Sequence, residues 1–272
     1  MRSTAAKSEV LQIVRAEHHD PFHILGAHHV QWEGSPAVAI RAFLPEAASA
    51  SVVSPELAQP KPMIRVHPSG FFEAVFQGRE RLFAYRLQLT NQEGHTWELI
   101  DPYCFWPVLT DFDIHLFGEG NFLRAYDKLG AHLHNAGGVS GVLFAVWAPN
   151  AERASVVGDF NAWDGRRHLM RCRGQSGIWE LFIPGLVTGE KYKFELCCRP
   201  KKEVTQKADP FAFCSEVRPK TASVVTSVDA YHWGDDEWMS ARIQHNGLDR
   251  PMCIYEVHLG SWRRHLDEHR TW

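Results

Sequence analysis

Gly158-Asp159-Phe160-Asn161-Ala162-Trp163-Asp164-Gly165, within the longer stretch Gly141 to Leu196, decides the fold. Upstream runs Val142-Leu143-Phe144-Ala145-Val146-Trp147, then a turn at Ala148-Pro149-Asn150, then a second apolar run from Ala154 to Val157. Short apolar runs punctuated by Gly, Pro and Asn read as β-strands joined by turns. Asn161 and the Asp164-Gly165 pair bring turn chemistry, because these residue types tolerate positive φ. The turn holds Trp163 at a loop tip. Its indole then either lies flat against an apolar C–H face, such as a sugar ring presents, or folds back into a small β core.

The same grammar occurs upstream. Phe43-Leu44-Pro45 with Ala50-Ser51-Val52-Val53 matches Trp147-Ala148-Pro149 with Ala154-Ser155-Val156-Val157. Gly70-Phe71-Phe72-Glu73 matches Gly177-Ile178-Trp179-Glu180, and Phe83 to Leu87 matches Glu190 to Phe194. Asp101-Pro102-Tyr103 matches Asp209-Pro210-Phe211. The offset between partners drifts only slightly along the chain, and the drift falls in turns. The ordered matches predict two copies of one β-sandwich module of about 100 residues each. The copies differ at the loop: the first has Ser54-Pro55-Glu56-Leu57-Ala58-Gln59-Pro60, with no aromatic. Trp179 alternates with Leu181 and Ile183 and reads as core.

Toward the N-terminus, Ser8 is expected to cap a short helix carrying Val10, Leu11, Ile13 and Val14, which Pro21 ends. His18, His19, His23, His28 and His29 invite a metal reading, but Pro21 interrupts the helical spacing of His19 and His23, and no metal or other cofactor is expected. Asp127 to Ala136 reads as a short helix or turn ending at Gly137-Gly138. Ala222 to Val225 reads as the closing strand of the second copy. Asp235, Asp236 and Glu237 read as a solvated loop face. Near the C-terminus, Met252 to Leu259 is almost continuously apolar, as suits a parallel strand buried on both faces.

The 272 residues carry a net charge of −3, which gives no electrostatic case for nucleic acid. No apolar run reaches the length of a membrane span, and residues 1–7 lead into no apolar signal segment. Six cysteines, none in a C-x-x-C arrangement, read as free thiols in a reducing cytoplasm.

Three motifs now carry a family resemblance. FAVWAPNAERASVVGDFNAWDGRRHLMR, GIWELFIPGLVTGEKYKFEL and KADPFAF, from Phe144 to Phe213, resemble the starch- and glycogen-binding sandwich that precedes the barrel in α-glucan branching enzymes. DPFHILGAH, from Asp20, resembles the opening of their extra N-terminal module, and IYEVHLGSWRRH, from Ile254, their first barrel strand. The resemblance implies an all-β chain: two tandem immunoglobulin-like sandwiches, then an orphan first strand of a (β/α)8 barrel. The expected layout is a helix at 1–17, a first sandwich at 18–112, a linker at 113–136, a glucan-binding sandwich at 137–228, a connector at 229–250, and the first strand of a truncated catalytic domain at 251–272.

These enzymes of glycogen synthesis cut an α-1,4-glucan and rejoin the released chain at a 6-hydroxyl, with paired barrel carboxylates. No residue here matches those carboxylates, so no catalytic residue is assigned, and this chain alone is expected to be inactive. What the resemblance leaves it is weak binding of α-glucan, glycogen or starch-like, with Trp163 as aromatic platform and Lys193 as the basic residue beside it. The second platform of related modules has no counterpart, since Cys197-Cys198-Arg199-Pro200 occupies that region. The competing readings are a non-catalytic glucan-binding or adaptor protein, and a scaffold that has lost sugar binding. Lys193 also reads as a solvated strand charge.

Overall fold

The computed structural model describes residues 3–198, 203–245, 247, 249, 251, 253–258 and 262. The chain divides into two units, Met1–Val228 and Asp229–Trp272. In the first, eight strands make one sandwich: β1 (Gly26–Trp32), β2 (Ser35–Phe43), β3 (Ser49–Val53), β4 (Lys61–Pro62), β5 (Ile64–His67), β6 (Phe71–Gln77), β7 (Arg86–Thr90) and β8 (Thr96–Leu99). Its sheets run in the orders β1-β2-β6-β5 and β4-β3-β7-β8. Eight more make a second: β9 (Gly130–Ala136), β10 (Val139–Trp147), β11 (Ala151–Gly158), β12 (Arg171–Cys172), β13 (Ile178–Pro184), β14 (Lys191–Cys198), β15 (Glu203–Lys207) and β16 (Ser223–Val224). Their orders are β12-β13-β10-β9 and β11-β14-β15, with β16 also on β14. All described pairings are antiparallel. The chain is all-β, as expected.

Alternation along the strands builds each core. Val38, Ile40 and Ala42 of β2 and Phe72 and Ala74 of β6 face Val52, Leu87 and Leu89 of the opposite sheet. In the second sandwich Val142, Phe144 and Val146 of β10 and Trp179, Leu181 and Ile183 of β13 face Val156, Tyr192 and Phe194. Trp179 is thus core, its Nε1–H donated to the Ala148 carbonyl at 3.1 Å.

Strands β2, β10 and β13 are buried on both faces, which an antiparallel sheet with one wet face would not be. A third layer explains it. Helix α1 (Lys7–Val14) sets Val10, Ile13 and Val14 against Phe43 and Phe71 on the outer face of the first sandwich. Helix α2 (Asp111–Gly118) sets Ile114 and Phe117 beside Leu109, Leu129, Leu143 and Phe182 on the outer face of the second. Each helix precedes the first strand of its own sandwich, so the repeat includes them. A buried glutamate fastens each entering segment. Glu73 accepts from the Thr4 backbone (3.1 Å) and pairs with Arg41 (3.0 Å). Glu180, its counterpart in the second copy, accepts from the Val108 and Leu109 backbone (3.2 and 2.9 Å) and pairs with Arg173 (2.9 Å). A buried tyrosine–aspartate bond also recurs: Tyr85 donates to Asp101 at 2.6 Å, Tyr192 to Asp209 at 2.5 Å.

Several local expectations change. The N-cap of α1 is Ala6, whose N–H is accepted by Glu9 at 3.3 Å, and Ser8 lies inside the first turn. The helix stops at Val14, ahead of a left-handed Ala16 (φ 54°), well before Pro21. The stretch expected as linker, 113–136, contains most of α2 and all of β9, an edge strand of the second sandwich. Gly137 and Gly138, both at positive φ, make the two-residue hairpin that returns β9 into β10. Glu33 and Gly34 do the same between β1 and β2.

In the second unit, helix α3 (Asp236–His245) forms where a connector loop was expected, with Asp236 and Glu237 in its first turn, where the helix dipole favours carboxylates. Residues 253–258 form no strand, against the expectation for the first barrel strand, and Ile254 and Tyr255 are exposed. A strand is held by ladder hydrogen bonds to a neighbour, and no ladder pairing involves these residues. Residues 252, 259–261 and 263–272 of that expected stretch lie outside the described residues.

A candidate glucan-binding face on the second sandwich

The loop after β11 is shaped by packing and by a buried amide. Gly158 leaves no room for a side chain, since a Cβ there would meet the Lys191 carbonyl and the Phe160 ring. Asp159–Asn161 then form one 3-10 turn. Ala162 and Trp163 follow at φ 55° and 59°. Two consecutive non-glycine residues in the left-handed region cost about 1–2 kcal/mol each, so the surroundings must hold them there.

Asn161, fully buried, does most of that holding. Its Oδ1 accepts from the Gly158 N–H at 3.0 Å, and its Nδ2 donates to the Val156 carbonyl and to His168 Nδ1, both at 2.8 Å. An amide nitrogen only donates, so His168 accepts at Nδ1 and is the neutral Nε2–H tautomer. Burial of the ring, then the nearby Arg167 charge, pushes the His168 pKa down to about 3, in keeping with that tautomer. The Val156 N–H donates to the His168 carbonyl (3.0 Å) and Met170 N–H to the Ala154 carbonyl (2.9 Å), so the returning chain closes the free edge of β11.

Trp163 sits at the tip. Its backbone N–H donates to the Gly158 carbonyl (3.0 Å), and its Nε1–H to Asp159 Oδ1 (2.9 Å), which fixes the indole about its χ angles. The side chain is half-buried and belongs to neither sandwich core. Lys193, on β14, is the register partner of Val157, the residue before Gly158. The two predicted site residues therefore share one end of one sheet. Lys193 Nζ donates to the Thr221 hydroxyl at 2.8 Å. Two residues along the same strand face, Glu195 pairs with Arg153 (2.9 Å) and accepts from Gln206 (3.3 Å). Gly165 lies directly on that carboxylate. Asp164 is clamped by Arg166 through bonds of 2.6 and 2.9 Å; partial burial works upward on its carboxyl, but those bonds and the guanidinium charge outweigh it, and its pKa lies below the usual range.

The first sandwich braces the loop from behind. Arg167 pairs with Glu46 at 2.6 Å, and the Arg166 guanidinium lies over the Phe43 ring at 5.8 Å. Tyr103 donates its hydroxyl to the Leu169 carbonyl at 3.2 Å, and Arg171 covers the Phe22 ring at 3.3 Å. These partners, with Asn161, Gly165 and His168, are the site residues that sequence reading missed. Asn161 announced itself only as a turn former.

At the region of the missing second platform, Cys197 and Cys198 are half-buried free thiols, and residues 199–202 lie outside the described residues. Among the described residues no group of three or more metal-ligating side chains gathers. His28, from the histidine-rich segment, bonds the Leu25 carbonyl at 2.9 Å, as His132 bonds Leu129 in the second copy at 3.0 Å. No helix among the described residues is long and apolar enough to cross a membrane.

Two family models match the chain. Residues 6–103 match the N-terminal domain of the alpha-1,4-glucan branching enzyme GlgB, and residues 128–212 match carbohydrate-binding module 48, the isoamylase N-terminal domain. The 1,4-alpha-glucan branching enzyme GlgB of Thermosynechococcus vestitus is 51% identical over 95% of this chain and 33% of that protein. Those of a Nostoc species and of Methylococcus capsulatus are 49% and 47% identical over 96% and 94% of this chain, each over 34% of that protein. The chain thus spans about a third of the length of the curated relatives it matches. By sequence and by the domains it contains, it belongs to the GlgB family of 1,4-alpha-glucan branching enzymes, corresponding to their N-terminal portion.

Proposed function

We propose that this chain is the α-glucan-binding part of a glycogen branching enzyme, whose complete form transfers α-1,4-linked chains to 6-hydroxyls, and that Trp163 is its sugar platform, with Lys193 alongside. The observation that carries this reading is the state of Trp163: outside both cores, half-exposed, and fixed in a left-handed loop by a buried amide network. A scaffold would have no use for strain stored around an aromatic at a loop tip. The match of residues 128–212 to a carbohydrate-binding module supports the ligand class. Six free cysteines support a reducing, cytoplasmic setting.

One stacked ring contributes roughly 1–3 kcal/mol by analogy with bases stacked on aromatics, so binding of a short oligosaccharide is weak, on the order of millimolar. Native electrophoresis through gels with and without glycogen tests the reading. The parent chain is expected to be retarded by glycogen and the Trp163→Ala variant much less so. Equal mobility of the parent with and without glycogen would refute it and favour the scaffold reading.

A further inference from the structure

The internal repeat draws attention to a second basic residue. Arg86 on β7 is the counterpart of Lys193 on β14: it stands in register with Val53 as Lys193 does with Val157. The loop beside Arg86 in the first sandwich has no aromatic, but another segment supplies one. Trp106, in the stretch leading to α2, is 86% exposed and lines a groove of about 750 Å3 that also holds Arg86, Phe105, His134 and Asn135. The groove runs between the two sandwiches, its far wall contributed by β9. We propose that this groove is a second α-glucan subsite, with Trp106 as its platform; the inference rests on the glucan-binding reading given above.

Three observations favour a glucan as occupant. An indole this exposed is an apolar patch that water leaves uncovered at a cost, and a sugar C–H face fits it. The polar groups around it are an imidazole, a carboxamide and a guanidinium, which suit neutral hydroxyls. Arg86 has Glu98 at 3.7 Å, and no other described Asp, Glu, Lys or Arg lines the groove, so the charge available to draw an anion is small. Together the two sites pair a basic residue with an aromatic in each half of the repeat, although the aromatics come from different segments. A branched polymer presents many chain ends, so two weak sites on one protein gain from avidity on glycogen.

The test is glycogen-gel retardation of the parent chain, Trp106→Ala, Trp163→Ala and the double variant. The expected result is a loss of apparent affinity of roughly tenfold or more in each single variant, with no retardation left in the double variant. Arg86→Ala is expected to lose less, in the same direction. Retardation of Trp106→Ala equal to the parent's, with that of Trp163→Ala reduced, overturns the second subsite and spares the first. Loss in Trp106→Ala with none in Trp163→Ala keeps this subsite and removes the role given to Trp163. A parent that is not retarded removes both. Unchanged retardation of Trp106→Ala accompanied by a shift from dimer to monomer in sedimentation makes the groove an interface between copies, and the glucan assignment falls.

Discussion

Replacing Asn161 by alanine leaves Trp163 in place and removes what holds it. Three hydrogen bonds disappear, of 3.0, 2.8 and 2.8 Å, at a fully buried side chain. Each contributes about 1 kcal/mol net, and the Gly158 N–H and His168 Nδ1 lose a partner besides, so the closed loop should lose about 3–5 kcal/mol. Ala162 and Trp163 already pull the loop toward other conformations through their left-handed backbone. Where the open form comes to dominate, apparent affinity falls by the closed fraction, up to roughly a hundredfold for about 3 kcal/mol. The assay pairs maltoheptaose titration with hydrogen exchange at the amides of Gly158 and Trp163. Both amides should lose protection while the rest of β11 and β14 keeps it, and binding should weaken with them. Asn161→Asp keeps the acceptor for Gly158 but sets a buried carboxylate against the Val156 carbonyl and His168 Nδ1, both acceptors, and should do no better than the alanine variant. Parent-like affinity and parent-like protection in Asn161→Ala would refute the positioning argument, even if Trp163 itself proved essential.

Packing and burial make two more outcomes testable. Gly165→Ala drives a methyl group into the Glu195 carboxylate, which Arg153 and Gln206 hold in place, so it should weaken glucan binding with a modest loss of thermal stability, read by parallel titration and melting; unchanged binding would place the loop elsewhere. Burial lifts Asp101 from 3.8 to about 6, so the folded chain holds this proton more tightly than the unfolded one. Its contribution is therefore present below about pH 4 and lost as pH rises through 6, about 3 kcal/mol at most, and the urea midpoint of Asp101→Asn should fall less than the parent's between pH 4 and 7. Parallel pH profiles for the two proteins would contradict it.

What the sequence displays is governed by local periodicity. Strands such as Val142–Val146 and Ile178–Ile183 show their runs directly, and the matched turns around Pro45 and Pro149 reveal the repeat. Helix α1 is legible through Val10, Ile13 and Val14, but helix α2 and the place of both helices in the repeat are not, because KSEVLQIV and DFDIHLFG share a position against the outer face of a sheet rather than residues. Strand β9 is hidden because its pattern is inverted, with His132 and His134 half-buried and Leu133 exposed beside Asn135, and it emerges only through pairing with β10. Residues 253–258 show the opposite failure: the apolar pattern around them is strand-like, yet pattern cannot supply the neighbouring strand that hydrogen bonding demands. At the site, Trp163 and Lys193 are legible as residue types in a motif. Asn161 is not, because its burial depends on residues 168–170 folding back along β11. The bracing pair Arg167 and Glu46, 121 positions apart, leaves no local signature at all.

Whether Trp163 is where the chain meets glucan is read by isothermal titration of maltoheptaose into the parent chain and into Trp163→Ala, at protein concentrations suited to millimolar binding. Saturable heat is expected for the parent, weakened roughly tenfold or more in the variant, while cellohexaose, with its flat β-linked chain, gives little in either. Equal maltoheptaose affinity in the two proteins would show that the indole held at the tip of this loop is not where the chain meets glucan.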